Sequence, residues 1–135
     1  TGLLTAPQLA QVDLNDCGFS GYGLGAWLAR GFPRANTKRL SEDLTPSINL
    51  AKNALTGSIP SDIGSNYFQS LDLSNNRFSG QIPSSFANLT SLRFLGLDRN
   101  KLKGSIPSTF SNLTSLVGFN VSYNHLSGKI PQIAP

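Results

Sequence analysis

Few side chains in this sequence could do chemistry on their own. The chain has one histidine, His125, and one cysteine, Cys17. A histidine without a partnered nucleophile or acid is usually a solvated side chain, and no Cys/His spacing here fits a metal site. Glu42 and Asp43 are neighbours in sequence, which is weak support for a catalytic carboxylate pair. We therefore predict a protein that is not an enzyme and that uses no cofactor and no metal.

A different polar set recurs at regular intervals. Asn53, Asn76, Asn100 and Asn124 occupy one slot, and Cys17 fills that slot in a degenerate first copy, LAQVDLNDCGFSG. A buried amide can donate and accept where a chain turns inward and leaves backbone groups without ladder partners. We predict that these residues form a structural ladder. Cys17 fits as a small buried residue; the alternative, a reactive thiol, requires an exposed cationic setting.

The asparagines belong to a longer repeated phrase that must position them. LRFLGLDRNKLKGSIP at 92–107 returns as LVGFNVSYNHLSGKIP at 116–131, FQSLDLSNNRFSGQIP at 68–83 and TPSINLAKNALTGSIP at 45–60. Because side chains alternate along a strand, Leu95 and Leu97 should point inward, and Arg93, Gly96 and Asp98 should lie on the other face or its margins. One repeat cannot bury its apolar face alone, so the repeats must stack.

A period of 20–29 residues with L-x-x-L-x-L-x-x-N/C-x-L indicates a leucine-rich repeat. The G-x-I-P extension and the 24-residue length resemble the plant extracellular type of that family. The resemblance implies an α/β repeat solenoid: a curved leucine-rich repeat with a parallel β-sheet on its concave face and short 3-10 or irregular convex segments. Strands should centre near Val12, Ile48, Leu71, Leu95 and Phe119.

The repeats divide the chain into one segment, residues 1–135, of about five repeats. They are expected at 9–44, which is irregular with an insertion at 22–44, and then at 45–67, 68–91, 92–115 and 116–135. Insertions in repeat arrays map to loops on one face and often bind partners. Both ends of the segment are expected to be incomplete, and the cysteine-paired end caps usual in the family are missing.

Charge and composition narrow the class of partner. The net charge is +4, but only 13% of the residues are charged. The basic residues are sparse and not interleaved with aromatics on a nucleic-acid fold, so we expect no nucleic-acid partner. No run approaches 18 apolar residues, so we expect no membrane span within this chain.

Three N-x-S/T sequons favour passage through the secretory pathway. They are Asn88, Asn112 and Asn120, and such a sequon is a glycan acceptor in secreted proteins. Simple repetition of the phrase ANLTSL/SNLTSL is the alternative origin of the first two. With the family resemblance, they predict a protein that is extracellular, in the cell wall or in a plasma-membrane ectodomain.

The resemblance implies recognition without catalysis, commonly in plant defence or development, as in receptor-like proteins, receptor kinase ectodomains and polygalacturonase-inhibiting proteins. Specificity should then lie in the variable concave positions, which we expect to be exposed, Ala51 and Ser74 among them. Aromatics and arginines are the residue types enriched at binding hot spots. The predicted site for a protein or peptide ligand comprises Arg93, Phe94, Asp98, Arg99, Tyr123, Asp72 and Lys52.

Other functions stay open from the sequence. Arg77 and Lys101 share a slot, with Arg99, Lys103 and Lys129 nearby, and this stripe would suit an acidic polysaccharide. An ice-binding surface is a further possibility, although the exposed columns lack regular threonine rows. A third alternative is a structural subunit that docks into a larger assembly through its ends and its basic insertion.

Overall fold

The computed structural model describes residues 11–13, 20–21, 47–61 and 69–133, and for the first two ranges it describes the backbone alone. The strands among these residues form two five-stranded sheets. The predictions made for Cys17 and for the insertion 22–44 lie outside the described residues.

The first sheet is parallel and contains every strand expected from the L-x-L pattern. Its central pairs are Val12 with Ile48, Ile48 with Leu71, Leu71 with Leu95, and Leu95 with Phe119. The predicted strand centres are therefore confirmed. In sheet order the strands are β1 (Gln11–Asp13), β3 (Ser47–Asn49), β5 (Ser70–Asp72), β7 (Phe94–Gly96) and β9 (Gly118–Asn120).

The second sheet was not predicted. It follows the turn after each strand of the first sheet, and its strands also pair in parallel. The glycine of each G-x-I-P phrase turns the chain here; Gly104, for example, has φ 81°, which an L side chain rarely adopts. In sheet order the strands are β10 (His125–Leu126), β8 (Lys101–Gly104), β6 (Arg77–Gly80), β4 (Ala54–Ser58) and β2 (Ser20–Gly21).

The return segments begin as short 3-10 helices at Ser84–Asn88 and Ser108–Asn112, as predicted. Pro83 and Pro107 precede them; proline fixes φ and gives up an N–H that this position does not need. Each helix buries a phenylalanine, Phe86 or Phe110.

The core is one continuous cluster between these layers. Leu95 and Leu97 are fully buried, and so are Phe86 and Phe110 from the helices. Each repeat adds one layer, and the buried area therefore grows with the number of stacked repeats.

Candidate functional site

The asparagine slot ties neighbouring repeats together. Asn100 accepts a hydrogen bond from the Phe78 N–H at 3.0 Å and donates to the Leu73 carbonyl at 3.0 Å, both in the preceding repeat. It also donates to the carbonyls of Leu97 and Asp98 in its own repeat, each at 3.2 Å.

Asn76 and Asn124 repeat the arrangement. Asn76 accepts from the Leu55 N–H at 3.1 Å, and Asn124 accepts from the Leu102 N–H at 3.0 Å. Asn53 donates to the Leu50 carbonyl at 3.0 Å. These hydrogen bonds set the position at which each first-sheet strand ends relative to the strand beside it.

The residue immediately before each asparagine adopts a left-handed backbone conformation. Lys52, Asn75, Arg99 and Tyr123 have φ between 54° and 58°. None is glycine, so the conformation must be imposed by the surroundings. The Arg99 N–H, for example, donates to the carbonyl of Ser122 in the next repeat at 2.9 Å. We call these four positions the turn column.

Two members of the turn column contact each other. The Arg99 guanidinium carbon lies 4.6 Å from the centre of the Tyr123 ring, which is a cation–π arrangement. Asp98 forms an ion pair with Arg99, with 3.8 Å between Asp98 Oδ2 and Arg99 Nε. Tyr123 is 72% exposed, so the stacked pair offers an aromatic and a cation to solvent together. We call Asp98, Arg99 and Tyr123 the turn cluster.

A second cluster lies over the first sheet. Phe94 is paired with Gly118 on the adjacent strand, and a Cβ added at Gly118 would lie 2.9 Å from Phe94 Cδ2. A Cβ at Gly96 would lie 2.7 Å from Asp72 Oδ1 and 3.2 Å from Phe94 Cε1. The ring and the Asp72 carboxylate therefore meet in the space that the two missing side chains leave open. We call Asp72, Phe94 and this glycine bed the aromatic platform.

The structure does not unite the whole predicted site. Phe94 lies in β7, and Arg99 lies in the turn that follows this strand, five residues further along the same repeat. Arg93 and Lys52 are exposed. Arg93 immediately precedes Phe94 in sequence. Lys52 is the member of the turn column that lies two repeats before Arg99. Five of the seven predicted residues thus fall into two clusters, one on the first sheet and one in the turns that follow it, and Arg93 and Lys52 belong to neither.

Three concave positions expected to be exposed are buried, which corrects the sequence analysis. Ala51 is 5% and Ser74 is 7% exposed, and Gly96 is buried as well. Asp72 Oδ1 accepts from Ser74 N at 3.0 Å and from Ser74 Oγ at 2.6 Å. These two hydrogen bonds hold Ser74 against the end of β5, and Ser74 is therefore buried. Gly96 is buried because the aromatic platform covers it.

The sequon residues occupy two different environments. Asn88 and Asn112 are the last residues of the two 3-10 helices, and both are exposed. Asn120 ends β9 on the first sheet, where its Oδ1 accepts from Ser122 N at 3.0 Å and Ser122 Oγ at 2.7 Å.

Basic side chains gather on the second sheet. Arg77, Lys101, Lys103 and His125 lie on β6, β8 and β10 and are exposed. His125 lies in a strand of the second sheet, which the sequence analysis did not predict.

In 47–61 and 69–133, no three His, Cys, Asp or Glu side chains are grouped so that they could hold a metal ion. The helices of the described part are too short and too polar to cross a membrane.

Comparison with known proteins identifies the repeat. A family model described as "Leucine rich repeat" matches residues 66–126. Residues 66–126 therefore consist of leucine-rich repeats, and the fold is that of a leucine-rich repeat solenoid. Among solved structures, this leucine-rich repeat chain resembles the BIR2 ectodomain of Arabidopsis thaliana, with 36% identity, a TM-score of 0.74 and coverage of 88% of this chain and 57% of that one.

Two complexes from the same plant show the same likeness. The BIR3–SERK2 complex matches with 35% identity, a TM-score of 0.71 and coverage of 88% of this chain and 58% of that one. The HAESA ectodomain in complex with an IDA peptide hormone matches with 33% identity, a TM-score of 0.69 and coverage of 93% of this chain and 19% of that one. This leucine-rich repeat chain therefore spans little more than half of the first two structures. The comparison with curated proteins found no match.

Proposed function

We propose that this chain is a non-catalytic recognition module that binds a protein or peptide through its first sheet. The observation that carries the proposal is the pair of exposed aromatic clusters, one on that sheet and one in the turns at the ends of its strands. Tyr123 is stacked with Arg99, and Phe94 rests on a glycine bed. Aromatic and arginine side chains that are already ordered lose little conformational entropy when a partner binds.

The similar proteins support the same class of partner. The solved structures include BIR3 with the protein SERK2 and HAESA with a peptide hormone.

The charges favour a ligand of mixed character over a uniform polyanion. The aromatic platform contains the carboxylate of Asp72. The turn cluster contains the carboxylate of Asp98 and the cation of Arg99. A ligand with one cationic and one anionic group would find a complementary charge at each cluster.

The extracellular location is part of this proposal, and it follows from the sequons and from the receptor ectodomains that the chain resembles. Asn88 and Asn112 leave the first sheet free, because they lie at the ends of the 3-10 helices. A glycan at Asn120 would instead stand on the first sheet, next to Tyr123, and would shift the contact toward earlier repeats.

The test uses photo-crosslinking from defined positions. A benzophenone-bearing phenylalanine analogue replaces Tyr123 in one variant and Thr109, an exposed residue of the second 3-10 helix, in the control. Each variant is illuminated with the extracellular protein fraction of its source tissue, and adducts are identified by mass spectrometry. We expect a specific protein or peptide adduct from position 123 and none from position 109.

The identified partner then allows a quantitative check. Phe94→Ala and Arg99→Ala should each weaken binding by about thirtyfold or more, since truncating a hot-spot residue costs about 2 kcal/mol or more. Unchanged affinity in both variants would contradict the proposal. If adducts form only from a probe at Lys38 in the insertion, the docking-subunit function would replace it.

A further inference from the structure

Gly96 interrupts a series of side-chain caps at the ends of the first-sheet strands. In three repeats the last residue of the strand accepts a hydrogen bond from the backbone N–H two positions later. These bonds, each of 3.0 Å, are Ala51 N–H to Asn49 Oδ1, Ser74 N–H to Asp72 Oδ1 and Ser122 N–H to Asn120 Oδ1. Gly96 is the last residue of β7 and has no side chain, so the N–H of Asp98 lacks this cap.

The Asp98 N–H is consequently a donor without an acceptor. Among the described residues, no oxygen accepts a hydrogen bond from it, whereas the Asp98 carbonyl accepts from the Asn75 N–H at 3.0 Å. Asp98 is half-buried. Because a backbone donor removed from water costs free energy until it is paired, this N–H favours a ligand that brings an acceptor.

The Asp72 carboxylate beside Gly96 also has unused capacity. Its Oδ1 accepts two hydrogen bonds from Ser74, one from the N–H at 3.0 Å and one from the hydroxyl at 2.6 Å. Its Oδ2 accepts none within 47–61 and 69–133, and no cationic side chain there forms an ion pair with it. Since a carboxylate oxygen offers about two acceptor positions, Oδ1 is saturated and Oδ2 is open to an external donor.

The Phe94 ring lies flat next to this carboxylate. A Cβ at Gly118 would lie 2.9 Å from ring atom Cδ2, and a Cβ at Gly96 would lie 3.2 Å from Cε1. These two ring atoms are opposite each other, so one face of the ring rests on both glycines and the other face is accessible. The same Gly96 Cβ would lie 2.7 Å from Asp72 Oδ1. One cation can therefore contact the carboxylate and the ring, because cation–π attraction extends to about 6 Å.

We propose that Asp72, the Phe94 ring and the Asp98 N–H bind a primary ammonium group of a peptide and a backbone carbonyl beside it. The ammonium donates to Asp72 Oδ2 and lies against the ring face, and the carbonyl accepts from the Asp98 N–H. We call these three groups the ammonium site. The inference rests on the function proposed above and names the chemistry of its ligand.

Two other ligand chemistries fit the ammonium site less well. A guanidinium favours two parallel hydrogen bonds to both oxygens of a carboxylate, but Ser74 already occupies Asp72 Oδ1. An anion that approached the Asp98 N–H would be repelled by the Asp72 carboxylate. An ammonium is a compact charge with three donors and needs only one carboxylate oxygen.

The experiment titrates the isotope-labelled full chain with small probes and follows its backbone amides by NMR. The probes are acetyl-lysine methylamide, which carries a side-chain ammonium, and alanine methylamide, which carries an N-terminal one. Acetyl-norleucine methylamide is the uncharged control. We expect saturable shifts of the Gly96, Asp98 and Gly118 amides with an ammonium probe, at a Kd in the millimolar range usual for so small a ligand, and none with norleucine. The probe that binds more tightly identifies the source of the ammonium.

Three variants test the assignment with the better ammonium probe. Asp72→Asn should weaken binding about fivefold, the upper range for a solvent-accessible ion pair. Thr109→Lys raises the net charge equally at an exposed residue of the second 3-10 helix, and it should stay within about twofold because distant charges are screened. Gly96→Asn introduces the residue type that caps in two other repeats, and it should remove the response of the Asp98 amide. Thermal melting verifies that all three variants fold.

Several outcomes would overturn the inference. Equal losses in Asp72→Asn and Thr109→Lys would show a general charge effect without a site. Equal or tighter binding of acetyl-arginine methylamide would contradict the preference for an ammonium. Adducts from position 123 without saturable shifts by either ammonium probe would retain the proposed function and overturn the ammonium site. Ammonium-probe binding without any adduct from position 123 would confirm the ammonium site and contradict the proposed function.

Discussion

Replacing Asn100 by alanine tests whether the asparagine ladder holds neighbouring repeats together. The side chain is 8% exposed and makes four hydrogen bonds. Their energies should not be added, because the three carbonyls that accept from Asn100 keep other donors. Leu73 O still accepts from Asn76 Nδ2 at 3.1 Å, and Leu97 O from Asn124 Nδ2 at 2.9 Å.

The remaining loss is concentrated on one backbone group. Asp98 O retains the Asn75 N–H at 3.0 Å, but the buried Phe78 loses the partner of its N–H. An orphaned buried donor costs about 1–3 kcal/mol. With a urea m-value of about 2 kcal/mol/M, the unfolding midpoint should fall by roughly 1 M.

Urea unfolding followed by circular dichroism measures this change, and two asparagines calibrate it. Asn124→Ala removes the same set of bonds at a half-buried position, so it should cost less than Asn100→Ala. Asn112→Ala alters an exposed residue and should stay within about 0.5 kcal/mol of the unaltered chain. An Asn100→Ala protein that unfolds together with Asn112→Ala would refute the ladder account.

Three further outcomes are expected. Leu97→Ala removes a fully buried side chain and should lower the unfolding free energy by about 2–5 kcal/mol in the same urea assay; a loss below 1 kcal/mol would contradict the packing. Gly118→Ala should push the Phe94 ring off the sheet with little change in melting temperature, visible as altered ring chemical shifts in NMR. Expression in a secretory host should glycosylate Asn88 and Asn112, and peptide mass spectrometry after enzymatic deglycosylation would locate the glycans or show those sites unmodified.

The sequence by itself determined the repeat, its layers and the positions of its first-sheet strands. Alternation and periodicity are local properties, so each L-x-L segment specifies its own buried face whatever its neighbours contain. The same reasoning placed asparagines in a slot where backbone groups need partners. These features depend on residue type and spacing alone.

The tertiary structure decided everything that depends on contact between repeats. The second sheet escaped prediction because strands such as β6 and β8 bury one apolar residue each and lack the L-x-L alternation of the first sheet. They form only when stacked turns align. Gly96 counted as an exposed position, but Phe94 and Asp72 converge above it from neighbouring strands. The contact between Arg99 and Tyr123 likewise joins two repeats. Both residues adopt left-handed backbone conformations, which the stacking of the repeats imposes. Side chains from separate repeats meet only once the register between strands is fixed, and that register does not exist in the sequence of any single repeat.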